Sequence, residues 1–60
     1  MKARIRINDT KWYHLTPKGH VVMKGKYEAT VIEAENAHAI VAGWRRRGMW
    51  ISAKVVEVTE

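Results

Sequence analysis

Sixty residues with no cysteine make a single domain with no disulfide framework and no thiolate zinc site. A chain this short buries only about 60% of the surface its unfolded form exposes, so its margin of stability is small. Eleven Lys and Arg against six Asp and Glu give a net charge of +5, and an apolar fraction of 47% argues against disorder.

The charge is unevenly spread. Lys2, Arg4, Arg6, Lys11, Lys18, Lys24 and Lys26 stand against Asp9 alone in residues 1–26. Residues 27–44 carry Glu28, Glu33 and Glu35 and no Lys or Arg, and the basic excess returns with Arg45, Arg46, Arg47 and Lys54. An excess of this sign attracts polyanions over long range; it also serves plain solubility. Neither a signal-peptide-like segment nor a run of the ~18 apolar residues that a membrane span needs is present, so the expected setting is cytoplasmic, away from membranes.

In chain order, Lys2–Ile7 alternates strictly, with Ala3, Ile5 and Ile7 on one face and Lys2, Arg4 and Arg6 on the other. Period two predicts a half-buried strand with a basic outer face. Asn8-Asp9 reads as a turn. Trp12–Thr16 has strand composition, although its two large aromatics leave the facing of Trp12 and Tyr13 open. Thr16-Pro17-Lys18-Gly19 fits a type I turn. His20–Met23 reads as a short third strand, and Lys24-Gly25-Lys26 as a connection. Tyr27–Glu35 is rich in β-branched and small residues and reads as a fourth strand.

The helix follows. Asn36 is expected to cap it. Ala37, Ile40, Val41 and Trp44 fall at i, i+3, i+4 and i+7 within Ala37–Arg47 and make one apolar stripe. Three arginines complement the negative end of the helix dipole, and Gly48 suits the left-handed position after it. Gly43 inside the helix costs about 1 kcal/mol relative to alanine; close approach to the sheet is the expected compensation. Trp50–Val58 reads as a closing strand, with Ile51, Ala53 and Val55 turned to the helix and Trp50 and Lys54 turned away.

The architecture expected is therefore α+β: a small antiparallel or mixed sheet of four to five strands, in β-β-β-β-α-β order, with one helix on one face. The strands on either side of the helix are either parallel neighbours or flank the first strand. An SH3-like small barrel is the competing fold.

One sheet face then has no helix to cover it. Lys2, Arg4, Arg6 and Lys54 beside Trp50 combine cations with an aromatic, the ingredients of a single-stranded nucleic-acid platform. The bland alternative is that Trp50 packs at the core's edge. Arg45, Arg46 and Arg47, flanked by Trp44 and Trp50, read either as a phosphate clamp or as a favourably charged helix end. His14, His20 and His38 match no metal spacing, Ser52 sits in no nucleophile elbow, and the glycines form no phosphate loop. No metal, no cofactor and no catalysis are expected.

The run E-A-E-N-A-H-A-I-V-A-G-W-R-R-R-G, followed by an alternating strand ending V-V-E-V, resembles small phage-encoded inhibitor proteins that carry a strand–helix–strand unit. The likeness covers under half the chain and rests on Ala34, Asn36, Ala39, Trp44, Gly48 and the strand after it. It implies a non-enzymatic protein that occupies a surface on a larger host machine; the basic charge and the N-terminal strands depart from it. Two functions follow: a basic module binding nucleic acid, or an inhibitor whose arginines meet an acidic protein surface. A homodimer paired through strand edges is a further partner to expect.

Overall fold

A computed structural model describes residues 1–58. The strands are β1 (Lys2–Arg6), β2 (Trp12–Leu15), β3 (Val21–Lys24), β4 (Ile32–Glu33) and β5 (Lys54–Glu57), and the helix α1 (Ala34–Arg46) lies between the last two. All pairings are antiparallel. One edge of β1 is taken by β5 over Ala3–Arg6. Its other edge is shared: β2 pairs it at Arg6, and β4 pairs it at Lys2 and Ala3. β3 joins β2 to complete an open five-stranded sheet. β4 and β5 therefore run the same way with β1 between them, the second of the two arrangements expected. The order and the single helix are those expected of the α+β sandwich; the sheet does not close into a barrel.

The alternation of β1 decides where the core lies. Ala3, Ile5 and Ile7 are fully enclosed, and they meet Ala37, Val41 and Trp44 of α1, with Tyr13 and Ala53 completing the cluster. Ala3 of β1 and Ala37 of α1, both fully buried, keep side-chain bulk low in this cluster. The predicted stripe is the buried face of α1, with Ile40 half-buried at its margin. Tyr13 tilts against Trp44 at 5.7 Å, and Trp50 meets Trp44 edge-on at 4.8 Å. Arrangements of this kind add about 0.5–1.5 kcal/mol to the area they bury.

Several boundaries differ from expectation, each for a local reason. The strand expected over Tyr27–Glu35 shrinks to β4. Lys26–Glu28 forms a 3-10 turn instead, and Tyr27 is 91% exposed. This segment does run beside β2, but irregularly. The Thr30 amide donates to the Tyr13 carbonyl (3.0 Å), and the Leu15 amide donates to the Thr30 hydroxyl (2.8 Å). A side-chain oxygen has replaced a ladder acceptor, so no regular strand forms there.

The helix starts at Ala34, with Glu33 rather than Asn36 at the cap position, and Asn36 lies exposed in the first turn. Side-chain capping is absent. The Ala34 amide donates instead to the Met1 carbonyl (2.7 Å), so a tertiary contact satisfies one of the free donors of the helix end.

The far end of α1 is as expected. Gly48 has φ +71°, its amide donates to the Arg45 carbonyl (3.1 Å), and the Met49 amide donates to the Trp44 carbonyl (2.8 Å). These are the paired bonds of a Schellman motif. The chain then turns rather than extends. Trp50 adopts φ +43°, and the Ala53 amide donates to the Trp50 carbonyl (2.9 Å). The closing strand therefore begins at Lys54, not Trp50. Ile51 is 70% exposed and does not face the helix, while Ala53 and Val55 do pack on the core. A left-handed backbone at a tryptophan costs of order 1–3 kcal/mol; docking of the indole on Trp44 offsets it.

Gly43 approaches nothing. A Cβ built on it would meet open space, so no close contact compensates its low propensity. Among the described residues no helix is long and apolar enough to cross a membrane. Because its φ is not left-handed and its surroundings are empty, Gly43→Ala is expected to stabilise the fold by about 0.4–1 kcal/mol. Thermal and urea melts read this directly, and an unchanged or lowered midpoint would show that the glycine serves the fold in another way.

Candidate nucleic-acid interface

Directly paired residues on antiparallel strands project to the same side of a sheet. Arg6 pairs Trp12 on β2 and Lys54 on β5, and Trp12 pairs Lys24 on β3. The sheet therefore carries a row, Lys24–Trp12–Arg6–Lys54, across the face opposite α1. Strands spaced by roughly 4.8 Å give that row a span of about 14 Å. Arg4, paired with Val56, and Lys2, paired with Glu33, continue the same face along β1.

The cations on this face are not equivalent. Lys2 Nζ bonds Glu33 Oε1 at 2.6 Å, and the amino terminus approaches Glu33 Oε2 at 3.4 Å. Arg6 bonds Asp9 Oδ1 through Nη2 (2.9 Å) and the Asn8 carbonyl through Nε (3.2 Å). The Asn8 turn holds that carboxylate in place, since Asn8 Oδ1 accepts from the amides of Thr10 (3.0 Å) and Lys11 (2.9 Å). Arg4, between them, makes no ion pair or hydrogen bond among the described residues, and its Nε is buried without a partner. Lys24 and Lys54 are exposed and likewise have no acidic partner among the described residues. Beside the row is a depression of about 280 Å³ lined by Arg6, Asn8, Asp9, Ser52 and Lys54.

The remaining expected site residues lie elsewhere. Trp44 is buried in the core, and Trp50 packs against it on the helix side, not on the open face. The edge-of-core alternative describes Trp50, because the turn after Gly48 folds it back. Arg45 donates from Nη2 to the Ala53 carbonyl (3.0 Å) and so ties the helix end to the entry of β5. Arg46 and Arg47 are exposed and line a shallow groove of about 310 Å³ along the outside of α1 with Ala39, Ile40, Gly43 and Trp44. Among the described residues the arginine run thus divides into one side chain with a structural bond and two without a partner.

Trp12 and Lys24 were not legible as members of this surface. The facing of Trp12 follows only from its pairing with Arg6, and Trp12 is 8% exposed, so it supports the face rather than offering a ring for stacking. Tyr27, next to Lys26 in the turn before β4, is the aromatic most open to solvent among the described residues. Its turn lies against β2 at His14, whose Nδ1 meets the Glu28 carbonyl. Among the described residues no three His, Asp or Glu side chains gather in a way that could hold a metal ion. No protein-family model, curated protein or solved structure matches this chain.

The Lys2 ammonium, through its hydrogen bond and then its charge, holds the Glu33 carboxyl below the usual carboxylate range, with help from the amino terminus. A pKa lowered by folding contributes stability that is fully present above the ordinary carboxylate value and is lost as pH falls through the folded one. Lys2→Met is therefore expected to move the Glu33 titration upward and to flatten the acid limb of the stability profile; NMR titration and acid melts measure both. At the helix end, Arg45→Ala should cost about 1 kcal/mol by freeing the Ala53 carbonyl. Arg46→Ala, at an exposed position, should stay within about 0.5 kcal/mol of the parent in the same urea melts.

Proposed function

We propose that this chain is a small basic module that binds nucleic acid, without catalysis, through the sheet face opposite its helix. What supports the reading is the cross-strand row of Lys24, Arg6 and Lys54 with the unpaired Arg4 behind it. Glu33 and Asp9 neutralise part of the face, yet among the described residues Arg4, Lys24 and Lys54 meet no acidic group. The exposed ring of Tyr27, in the turn against β2, is the candidate stacking surface, since each stacked base is worth about 1–3 kcal/mol and requires a ring that solvent can reach.

A second reading, the host-protein inhibitor, draws on one specific observation. Met49 and Ile51 project from the loop after α1, close in sequence to the free Arg46 and Arg47. An exposed methionine and isoleucine beside arginines resemble the composition of protein interfaces, where Met and Arg are enriched. Under that reading a one-to-one complex with a host protein forms without nucleic acid, and Ile51→Asp abolishes it.

Anisotropy of labelled single- and double-stranded DNA and RNA, titrated at several salt concentrations, tests the first reading. Three to four phosphate contacts predict a log–log salt slope of about −2 to −3 on a single strand. Arg4→Ala and Lys54→Ala should each make that slope shallower by about 0.7. Tyr27→Ala should weaken binding at all salt concentrations and leave the slope unchanged. Absence of binding at low salt, or a slope indifferent to Arg4 and Lys54, sinks the proposal.

A further inference from the structure

The sheet ends in two unlike edges. The outer edge of β5 is charged at both ends, by Lys54 and Glu57, and Arg45 already occupies the carbonyl that precedes it. Such an edge resists pairing with another strand. The edge of β3 reads Val21-Val22-Met23-Lys24, and among the described residues only β2 pairs with it.

The direction of its free backbone groups follows from the ladder. The Thr16 amide donates to the His20 carbonyl (2.8 Å), which makes 16/20 a hydrogen-bonded pair. Alternation then makes 14/22 and 12/24 hydrogen-bonded pairs, and 15/21 and 13/23 non-hydrogen-bonded ones. The outward use of Tyr13 O and Leu15 N by Thr30 agrees with this phase. On β3 the amides and carbonyls of Val21 and Met23 therefore point away from β2, towards the open edge.

The side chains are equally unprotected. Val21 and Met23 lie on the helix side of the sheet together with Leu15, because they pair Leu15 and the core residue Tyr13. α1 packs over β1, β4 and β5, and these three side chains, 39–44% exposed, are left beyond its cover.

We propose that the β3 edge pairs with β3 of a second copy of this chain, antiparallel about a two-fold axis at Val22. In that register Val21 faces Met23 of the second copy. The Val21 amide meets the Met23 carbonyl, the Met23 amide meets the Val21 carbonyl, and the axis repeats both bonds. Every outward group of β3 between residues 21 and 23 is used. Apolar side chains meet apolar ones on the helix side, Val22 meets Val22 on the other, and Lys24 faces His20 rather than another lysine. Such self-complementarity is the requirement of an isologous interface, and it favours a second copy over an unrelated strand. The product is a continuous sheet in which the two basic faces lie side by side.

Sedimentation equilibrium over a hundredfold concentration range tests this, at moderate and at high salt. The mass is expected to rise from the 6.9 kDa of one chain towards twice that value. It should rise further at high salt, because the copies carry like charge. Met23→Pro removes an amide that the β2 ladder does not use, and edge positions tolerate proline; it should hold the mass at one chain. Val21→Lys is the second variant, at a site already open to solvent, and should do the same with an unchanged circular dichroism spectrum. A wild-type mass of one chain throughout would overturn the proposal. So would folded variants that associate as strongly as the parent, which would point to another surface. Arg4→Ala should leave association intact, so failure of the nucleic-acid reading and failure of this one are separable.

Discussion

Everything in this domain hangs on β1, a five-residue strand paired along both edges and alternating without a break. Its inward residues anchor the core, and its outward residues carry the basic face. A buried isoleucine is worth about 2–5 kcal/mol, while a domain of this size has about 3–9 kcal/mol in all. Ile5 and Ile7 alone therefore account for a large share of the fold's margin. The period of two also forbids slippage: moving β1 by one residue would bury Arg4 and expose Ile5.

Around this strand the chain repeatedly satisfies backbone groups through tertiary contacts rather than local ones. The first amide of α1 is met by the Met1 carbonyl, the Leu15 amide by a threonine hydroxyl, and the Ala53 carbonyl by Arg45. Each of these joins segments distant in sequence or in secondary structure. With no disulfide and a small core, such ties hold short elements whose own ladders are only a few residues long.

The electrostatics of the open face follow from the same register. Pairing Lys2 with Glu33 and turning Asp9 back on Arg6 quiets both ends of the β1 stripe and leaves Arg4 in the middle without an acid among the described residues. A uniformly basic stripe would repel itself and weaken the fold. Alternating neutralised and free cations keeps local repulsion low while leaving defined points of positive charge. Lys24 and Lys54 extend those points across the sheet.

The sequence by itself determined the α+β class, the order of elements, the inward face of β1, the buried stripe of α1 and the Schellman end at Gly48. Each is written in a local periodicity or in one residue's backbone preference. It could not show that Asn36 would be passed over, that Trp50 would fold back, or that Tyr27 would leave the sheet. Those outcomes depend on the Met1 carbonyl, the Trp44 ring and the Thr30 hydroxyl, all supplied by other parts of the chain. The membership of the open face was likewise half legible. Lys2, Arg4 and Arg6 share a side by period alone, whereas Lys24 and Trp12 join them, and Trp50 leaves, only through strand register and turn geometry. Alternation assigns residues within a strand to one side or the other; which sides of different strands coincide is a property of pairing, and pairing exists only in three dimensions.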